Sequence, residues 1–433
     1  MIEFVYIDIR KFMEQQTLAI HAGYDKTFGH GSMSVPIEQT TAYAFRDSEH
    51  AANLFSLKEL GPIYSRLTNP TLDVLEKRYA ALEKGASAIA VASGQSAIFY
   101  AIANLAEAGD NIIISNKLYG GSVTLLTHTI KRFGINAKVF DCENPTDLEA
   151  LIDDKTKAIF FESLSNPQIA ISDVEKIVSI AQKHGVMTVC DNTVATAALF
   201  NPISWGVDIV VHSMSKYTDG QGRAIGGIVV ERNGLNEFFA NSSRYSHFSS
   251  PDESYHGLVY TSLPLPCFCL RIRLALLRDI GACLSPFNGW LLINGLETLD
   301  LRVEKHSQNA LEVAKFLTTA ANVKAVNYPS LKSSSANTKV NKYFKNGYAS
   351  GLLSFDVGSF EEAKHIIDSV KLFSVVVNIG DSKSLIAHPA STTHSQIPQD
   401  ELIKSGINPA TIRLSIGLED PKDLIADLTQ AFN

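Results

Sequence analysis

The stretch VDIVVHSMSKYTDGQGRAIGGIVVE, residues 207–231, joins two apolar β-rich runs through a polar, glycine-rich connection. The first run, VDIVVHS (207–213), is followed closely by Lys216, and the second is GGIVVE (226–231). A lysine just after a buried strand is unusual, because burial disfavours its charged form. A desolvated lysine near neutrality is a good base and a good nucleophile toward carbonyls. The stretch therefore predicts a buried strand that ends near a reactive amine.

Similar apolar runs recur upstream of this stretch, with helical segments between them. They are SAIAVAS (87–93), NIIIS (111–115), NAKVFD (136–141), KAIFFES (157–163) and VMTVCDN (186–192). The intervening DVEKIVSIAQKHG (173–185) has apolar residues spaced three and four apart and ends in glycine, which is typical of a helix. Near-continuous apolar strands alternating with helices predict an α/β fold, in which a mostly parallel seven-stranded sheet is covered by helices on both faces.

The chain has 433 residues, which is enough for two or three domains. Residues 1–75 are interpreted as an extended N-terminal arm, and within them residues 1–12 as an upstream extension or a misassigned start ahead of Met13. Residues 76–297 are predicted to form the large α/β domain. Residues 298–433 begin with a long helical pattern and continue with short strands and helices, which predicts a smaller α+β domain.

Composition excludes several classes of function. Hydrophobic residues make up 45% of the chain and charged residues 19%, with a net charge of −7, so no basic surplus favours nucleic acid or an anionic membrane. The first residues lack the features of a signal peptide, and charged residues interrupt the most apolar stretch, so no membrane span is predicted. The five irregularly spaced cysteines indicate free thiols in a reducing cytoplasm and no metal site.

Two further strand ends carry polar groups. In open α/β sheets, ligands bind beyond the carboxyl ends of the strands. Ser93-Gly94-Gln95 lies between a predicted strand and a helical pattern, where backbone N–H groups can bind a phosphate, although such a turn is often only structural. Asp191 ends another strand; its carboxylate is either a helix cap, a surface acid or the partner of a protonated pyridine nitrogen.

Ser213 and Ser215 flank the approach to Lys216 with hydroxyls suited to phosphate oxygens. An anion-binding turn, an acid, two serines and a lysine thus fall at strand ends of one predicted sheet. A cofactor that combines a phosphate, a basic ring nitrogen and an aldehyde explains all of them.

These residues lie in a series of motifs that resembles the fold-type I pyridoxal 5'-phosphate (PLP) enzymes of cysteine and methionine metabolism. The resemblance runs from about Thr17 to Phe432. Its motifs are TLAIHAG (17–23), YSRLTNPT (64–71), ASGQSAI (92–98), LYGGS (118–122), ESLSNP (162–167), DNT (191–193), HSMSKY (212–217), HPASTTHS (388–395) and RLSIGLED (413–420).

The resemblance implies how the cofactor ring is held. Lys216 would bind the cofactor aldehyde covalently and serve as the catalytic base. Asp191, with Thr193 in the same motif, would lie at the pyridinium nitrogen. Tyr119 would stack on the ring as a binding and catalytic residue, and Asn166 would hydrogen-bond the phenolic oxygen.

The resemblance also implies a phosphate site completed by a neighbouring subunit, which requires at least a dimer and by analogy a tetramer. Its residues would be Ser93, Gly94, Gln95, Ser213 and Ser215 of one subunit, with Tyr64 and Arg66 of its neighbour. Arg413 would bind the α-carboxylate of an amino-acid substrate, since its planar fork matches a carboxylate.

Within the family, four features resemble O-acetylhomoserine sulfhydrylases: the segment 29–55, Gln95, the insertion 247–257 and VVNIGDSKSLIAHPASTTHSQ (376–396). The last segment places Asn378, a substrate-binding residue by this resemblance, where other branches usually carry serine. The implied reaction converts O-acetylhomoserine and sulfide, or a thiol, to homocysteine, or methionine, and acetate. The sulfur donor and the exact leaving group stay open.

Three alternatives remain. The first is methionine γ-lyase activity, which is disfavoured by Gly121, where lyases typically place a cysteine. The second is cystathionine γ-synthase activity. A non-catalytic scaffold is disfavoured by the intact set of Lys216, Asp191 and Arg413.

Overall fold

The large sheet contains seven strands, and their bounds match the predicted runs to within about two residues. They are β1 (Ser87–Val91), β2 (Asn111–Ser115), β3 (Asn136–Phe140), β4 (Thr156–Glu162), β5 (Met187–Asp191), β6 (Ile209–Ser213) and β7 (Gly227–Glu231). The computed structural model describes residues 13–392 and 408–433. The interpretation of residues 1–12, and the last three residues of the HPASTTHS motif, therefore lie outside the described residues.

The strand order is β1-β7-β6-β5-β4-β2-β3. Only β7 runs antiparallel to its neighbours, β1 and β6, and every other pair is parallel. This confirms the predicted mostly parallel seven-stranded sheet. Because β7 lies between two strands that it opposes, β1 and β6 point the same way, and the carboxyl ends of six strands share one edge.

Helices cover both faces of this sheet. Alternate residues of β4 point into two separate cores: Ile159 and Phe161 join one, and Ala158 and Phe160 join the other. The helices are α1 (Gln15–His21), α2 (Ser48–Phe55), α3 (Pro70–Leu82), α4 (Gly94–Ala103), α5 (Gly120–Thr124), α6 (Leu148–Leu151), α7 (Val174–Lys183), α8 (Thr196–Leu199), α9 (Leu235–Ala240), α10 (Cys267–Arg271), α11 (Arg278–Ile280), α12 (Pro286–Glu297), α13 (Leu299–Leu317), α14 (Asn337–Tyr343), α15 (Phe360–Ser369) and α16 (Pro421–Ala431).

Local sequence explains where the main helices begin. The Asn69 side chain accepts from Thr71 N at the start of α3, and Pro70 takes the first helical position, where no N–H donor is needed. Asp173 accepts from Lys176 N at the start of α7. The predicted helix over 173–185 therefore forms as Val174–Lys183, and the long helical pattern after residue 298 forms as α13.

A second sheet of five strands follows in the chain. Its strands are β8 (Ala325–Asn327), β9 (Leu352–Asp356), β10 (Ser374–Val375), β11 (Leu385–Ala387) and β12 (Thr411–Ser415), in the order β10-β11-β12-β9-β8. The apolar run 373–380 contributes only two residues, at the sheet edge. Beyond them Val376 and Val377 are exposed, and Gly380 turns with φ +74° directly against Tyr217 N.

The N-terminal segment contains two helices and long irregular stretches. α1 packs on α3, whereas Met33, Phe45, Phe55 and Leu60 leave their apolar side chains exposed. Across residues 13–392 and 408–433, no helix combines the length and the hydropathy that a membrane crossing requires.

Candidate active site

The carboxyl ends of β4, β5 and β6 bring the predicted polar residues to one edge of the large sheet. Glu162 at the end of β4 is the register partner of Asp191 at the end of β5. Ser213 ends β6, the next strand along. The sheet therefore places two carboxylates and the approach to Lys216 side by side, as the strand pattern predicts for Asp191 and Ser213.

The turn after β1 reaches the same edge. Ser93 caps α4, and its hydroxyl accepts from Ser96 N at 3.1 Å. A Cβ at Gly94 would lie 2.6 Å from Ser213 Cβ, so only glycine allows this close approach of the helix N-terminus to β6. The backbone at Gly94 thus lies against Ser213, and the N–H groups at the start of α4 are of the kind that can bind a phosphate, a role that stays a prediction.

Lys216 is mostly buried, and its Nζ donates to Asn378 Oδ1 at 2.7 Å. Burial, followed by the positive charge of Arg413, lowers the pKa of Lys216 to about 8. A substantial fraction of the amine is therefore neutral near physiological pH, which is the form that attacks an aldehyde. The predicted reactive amine and the predicted substrate-binding Asn378 are in direct contact.

Arg413, on β12 of the second sheet, is 3% exposed and lies against this cluster. Its Nη1 donates to Asn166 Oδ1 at 3.1 Å and its Nη2 to Asn378 O at 3.0 Å, while Nε has no partner among the described residues. Burial lowers the pKa of Arg413 to about 10. A buried guanidinium whose described partners are neutral oxygens is suited to bind a substrate carboxylate.

Asp191 is the candidate partner for a ring nitrogen. Its Oδ1 accepts from Thr193 N at 2.9 Å, and Thr193 Oγ1 in turn accepts from Ser213 N at 2.8 Å. Burial raises the pKa of Asp191, which means that the carboxylate form lacks full stabilisation from the surrounding protein groups. No lysine or arginine of the described chain forms an ion pair with it. A protonated pyridine nitrogen would supply the missing stabilisation, so Asp191 fits the expected cofactor.

Tyr119 and Asn166 approach the site from neighbouring loops. Tyr119 is 37% exposed, and its ring lies against Gly121, where a Cβ would lie 2.6 Å from Tyr119 Cε1. Asn166 follows β4 and orients its side-chain oxygen toward Arg413. These contacts do not test the predicted ring-binding roles of Tyr119 and Asn166, which remain predictions.

Three other predicted residues have different surroundings. The Ser215 hydroxyl accepts from Gly226 N at 3.0 Å, so its phosphate contact stays a prediction. The Arg66 guanidinium lies 5.3 Å from the centre of the Tyr64 ring, and Tyr64 is exposed. Their predicted role in a neighbouring subunit's site likewise stays a prediction.

Sequence reasoning assigned no role to Glu162, although the structure makes it central. Its Oε1 accepts from Tyr119 N at 2.7 Å and its Oε2 from Asn166 N at 3.2 Å. The available signal was an acid at the end of an apolar strand, the same signal that identified Asp191. Neither residue's partners could be read from the sequence.

Comparison with known proteins identifies the family to which this chain is similar. The model of the family described as "Cys/Met metabolism PLP-dependent enzyme" matches residues 16–433. The O-acetyl-L-homoserine sulfhydrylase of Leptospira meyeri is 43% identical over 426 residues, covering 96% of each chain. The homocysteine/cysteine synthase of Kluyveromyces lactis is 44% identical over 430 residues, again covering 96% of each chain.

Two solved structures have the same fold. A Campylobacter jejuni protein that carries the name O-acetylhomoserine (thiol)-lyase, with a pyridoxyl-modified lysine, is 55% identical with a TM-score of 0.95; the match covers 97% of this chain and 100% of that one. The cystathionine γ-lyase of Lactobacillus plantarum is 30% identical with a TM-score of 0.83, covering 97% of this chain and 98% of the other.

Proposed function

The chain belongs to the PLP-dependent enzymes of cysteine and methionine metabolism, and from this premise we propose that it catalyses γ-replacement on O-acetylhomoserine. Sulfide, or a small thiol, replaces acetate at Cγ and gives homocysteine, or methionine, in methionine biosynthesis. Relatives at 42–44% identity are named for this activity or for homocysteine synthesis. The observation that carries the proposal is the buried cluster in which Lys216 contacts Asn378 and Arg413 contacts both asparagines of the site.

Bound PLP supplies an electron sink for the negative charge that develops at Cα. Lys216 would hold the cofactor aldehyde covalently. Asp191 would pair with the ring nitrogen and keep it protonated, and the turn at Gly94 and Gln95 would donate backbone N–H groups to the phosphate. Tyr119 would stack on the ring. Each of these roles is carried by a residue at the common strand edge or on a loop next to it.

The substrate would be held by its carboxylate and deprotonated by the lysine amine. Arg413 binds the α-carboxylate through its planar fork, with Asn378 and Asn166 fixing the guanidinium from either side. As a neutral amine, Lys216 would be the base that removes the Cα proton of the substrate. Over the whole reaction the Cγ–O bond to acetate breaks and a Cγ–S bond forms.

Finer features extend the proposal. The chain is proposed to form a homotetramer in which Tyr64 and Arg66 complete the phosphate site of a neighbouring subunit. Residues 1–75, 76–297 and 298–433 are proposed as arm, large domain and small domain. We further propose a cytoplasmic location, because all five cysteines are free and four of them are buried.

The test is an absorption spectrum of the purified protein, followed by a product assay with O-acetylhomoserine and sulfide. We expect a cofactor band and the release of homocysteine and acetate. The variant Lys216→Ala should lose the band and at least ~100-fold in rate, the low end for one acid–base group. Turnover retained in that variant would overturn the assignment.

Parallel reactions separate the alternatives. O-succinylhomoserine and O-phosphohomoserine test the leaving group, and a small thiol tests the sulfur donor. Methionine alone should give no ketoacid, whereas a γ-lyase would release ketoacid and thiol. O-Acetylhomoserine with cysteine in place of sulfide should give no cystathionine, whereas a cystathionine γ-synthase would form it.

A further inference from the structure

Glu162 links two loops that carry the proposed cofactor contacts. It is 4% exposed, and each of its carboxylate oxygens accepts one backbone N–H: Oε1 from Tyr119 at 2.7 Å and Oε2 from Asn166 at 3.2 Å. Tyr119 is the last residue of the loop between β2 and α5, and Asn166 lies on the loop after β4. A single side chain thus fixes the backbone of both residues.

The link continues to the substrate side of the site. Asn166 Oδ1 accepts from Arg413 Nη1 at 3.1 Å, so a shift of the Asn166 backbone would move a partner of the guanidinium. Glu162 is itself anchored by the β4–β5 register, in which it pairs with Asp191, and its carbonyl accepts from Ser172 Oγ at 2.7 Å. Its carboxylate therefore projects from a rigid strand end toward two loops.

We propose that Glu162 is a positioning residue that couples the placement of the Tyr119 ring to that of Asn166, and through Asn166 to that of Arg413. This role rests on the proposed function, because it concerns the residues that hold the cofactor and the substrate carboxylate. Glu162 need not touch either ligand. Its two hydrogen bonds act by holding the loops in the arrangement that binds the ligands, which reduces the ordering that binding would otherwise require.

Burial, followed by the neighbouring Asp191 carboxylate, raises the pKa of Glu162 well above its ordinary value. A carboxylate in such surroundings is unfavourable unless its hydrogen bonds offset the cost. A glutamine or a hydrophobic residue would avoid that cost, but neither offers two acceptor oxygens. The acid is consistent with a requirement for both acceptors.

Glu231 provides a matched control on the same sheet. It is 1% exposed, and its carboxylate also accepts one backbone N–H per oxygen, from Cys269 at 2.9 Å and Phe268 at 3.2 Å. It ends the antiparallel strand β7 and pairs in register with Ile209 at the start of β6, so it lies at the edge of the sheet away from the cofactor site. It therefore reproduces the chemistry of Glu162 without its location.

The experiment compares Glu162→Gln with Glu231→Gln in the reconstituted holoenzyme. Glutamine retains one acceptor oxygen and adds a donor, so each variant leaves one backbone N–H unpaired. Four quantities are measured: the melting temperature, the dissociation constant of PLP, the circular dichroism of the cofactor band, and KM with kcat for O-acetylhomoserine.

Both variants should lose comparable thermal stability. Only Glu162→Gln should weaken PLP binding, by roughly tenfold or more, as for the loss of one hydrogen bond to a charged group. It should also reduce the dichroism of the cofactor band and raise KM for the substrate. Glu231→Gln should keep all three values within about twofold of the parent, because a change this far from the site removes only structural support.

Equal effects of the two substitutions on cofactor binding, dichroism and KM would overturn the positioning role while leaving the proposed function intact. A parent protein that binds no PLP would overturn the proposed function and this inference together. If the glutamine variants do not fold, Glu162→Asp and Glu231→Asp replace them. Aspartate keeps two acceptors but is shorter by one methylene and does not reach both N–H groups at these distances, so the same four measurements on the two aspartate variants test the positioning role.

Discussion

The lowered pKa of Lys216 can be tested by the pH dependence of cofactor attachment. Burial is the larger cause of the shift from 10.5 to about 8, and Arg413 the smaller. At pH 7.5 an amine with a pKa of about 8 is about one quarter neutral, whereas an ordinary lysine is about 0.1% neutral, so the reactive fraction rises roughly 200-fold. Only the neutral amine attacks the aldehyde, so the attachment rate should rise with pH and level off above about pH 8.

The assay mixes apoenzyme with PLP in a stopped-flow instrument and follows the cofactor absorbance between pH 7 and 10. This range lies above the second phosphate pKa of about 6, so the phosphate charge does not change with pH. A lysine derivative free in solution is the reference and should show no levelling below about pH 10. The pH at which the attachment rate levels off is called the break below. It does not depend on the intrinsic nucleophilicity of either amine.

Arg413→Met is the matched perturbation, because it removes the positive charge and keeps an apolar side chain of similar length. The break should move upward, since one cause of the low pKa is lost. It should stay below that of the free amine, because burial remains. A break near pH 10 in the parent enzyme would refute the reasoning about burial, and an unchanged break in the variant would refute the contribution of Arg413.

Three further substitutions test separate parts of the structure. Gly94→Ala places a Cβ 2.6 Å from Ser213 Cβ; it should cost about 1–3 kcal/mol of stability and weaken PLP binding, measured by melting and by cofactor release. Gly121→Cys should displace the Tyr119 ring and change the dichroism of the cofactor band; an unaltered band would show that the ring has room to move. Burial raises the pKa of Glu231 from 4.5 to about 7, so the folded state binds this proton more tightly and loses about 3 kcal/mol as pH rises through that range. Glu231→Gln should flatten this decline in denaturant titrations at pH 5 and pH 8, and a decline as steep as in the parent would contradict it.

The seven strands could be predicted because each is short, apolar and buried, so that sequence pattern and tertiary environment agree. Their exact bounds depended on side chains. The run at 207–213 begins its ladder only at Ile209, because Asp208 N donates to the side-chain oxygen of Thr188 at 2.9 Å and not to the backbone of a neighbouring strand. The apolar run 373–380 formed a strand of only two residues, since it lies at an edge and then turns inward to present Asn378 to Lys216.

The site was predictable to different extents for a physical reason. Asp191, Ser213 and Lys216 follow parallel strands, and the ends of parallel strands meet at one edge, so pattern alone could bring them together. Arg413 and Asn378 belong to a second sheet whose docking on the first has no signature in local spacing. Only the family resemblance indicated them, and the structure then placed Asn378 against Lys216, and Arg413 against Asn166 and Asn378.

The shifted pKa values of four buried side chains link the fold to the proposed chemistry. Burial is the largest cause in each case, and it lowers the pKa values of Lys216 and Arg413 while it raises those of Asp191 and Glu162. All four shifts favour neutral forms, because the sheet edge withdraws these groups from water. A cofactor with a cationic ring nitrogen and a substrate with a carboxylate would favour the charged forms of Asp191 and Arg413 and leave Lys216 neutral. Lys216 would therefore be neutral, as a base that removes a proton must be, while Arg413 in the same pocket would be charged, as binding of a carboxylate requires.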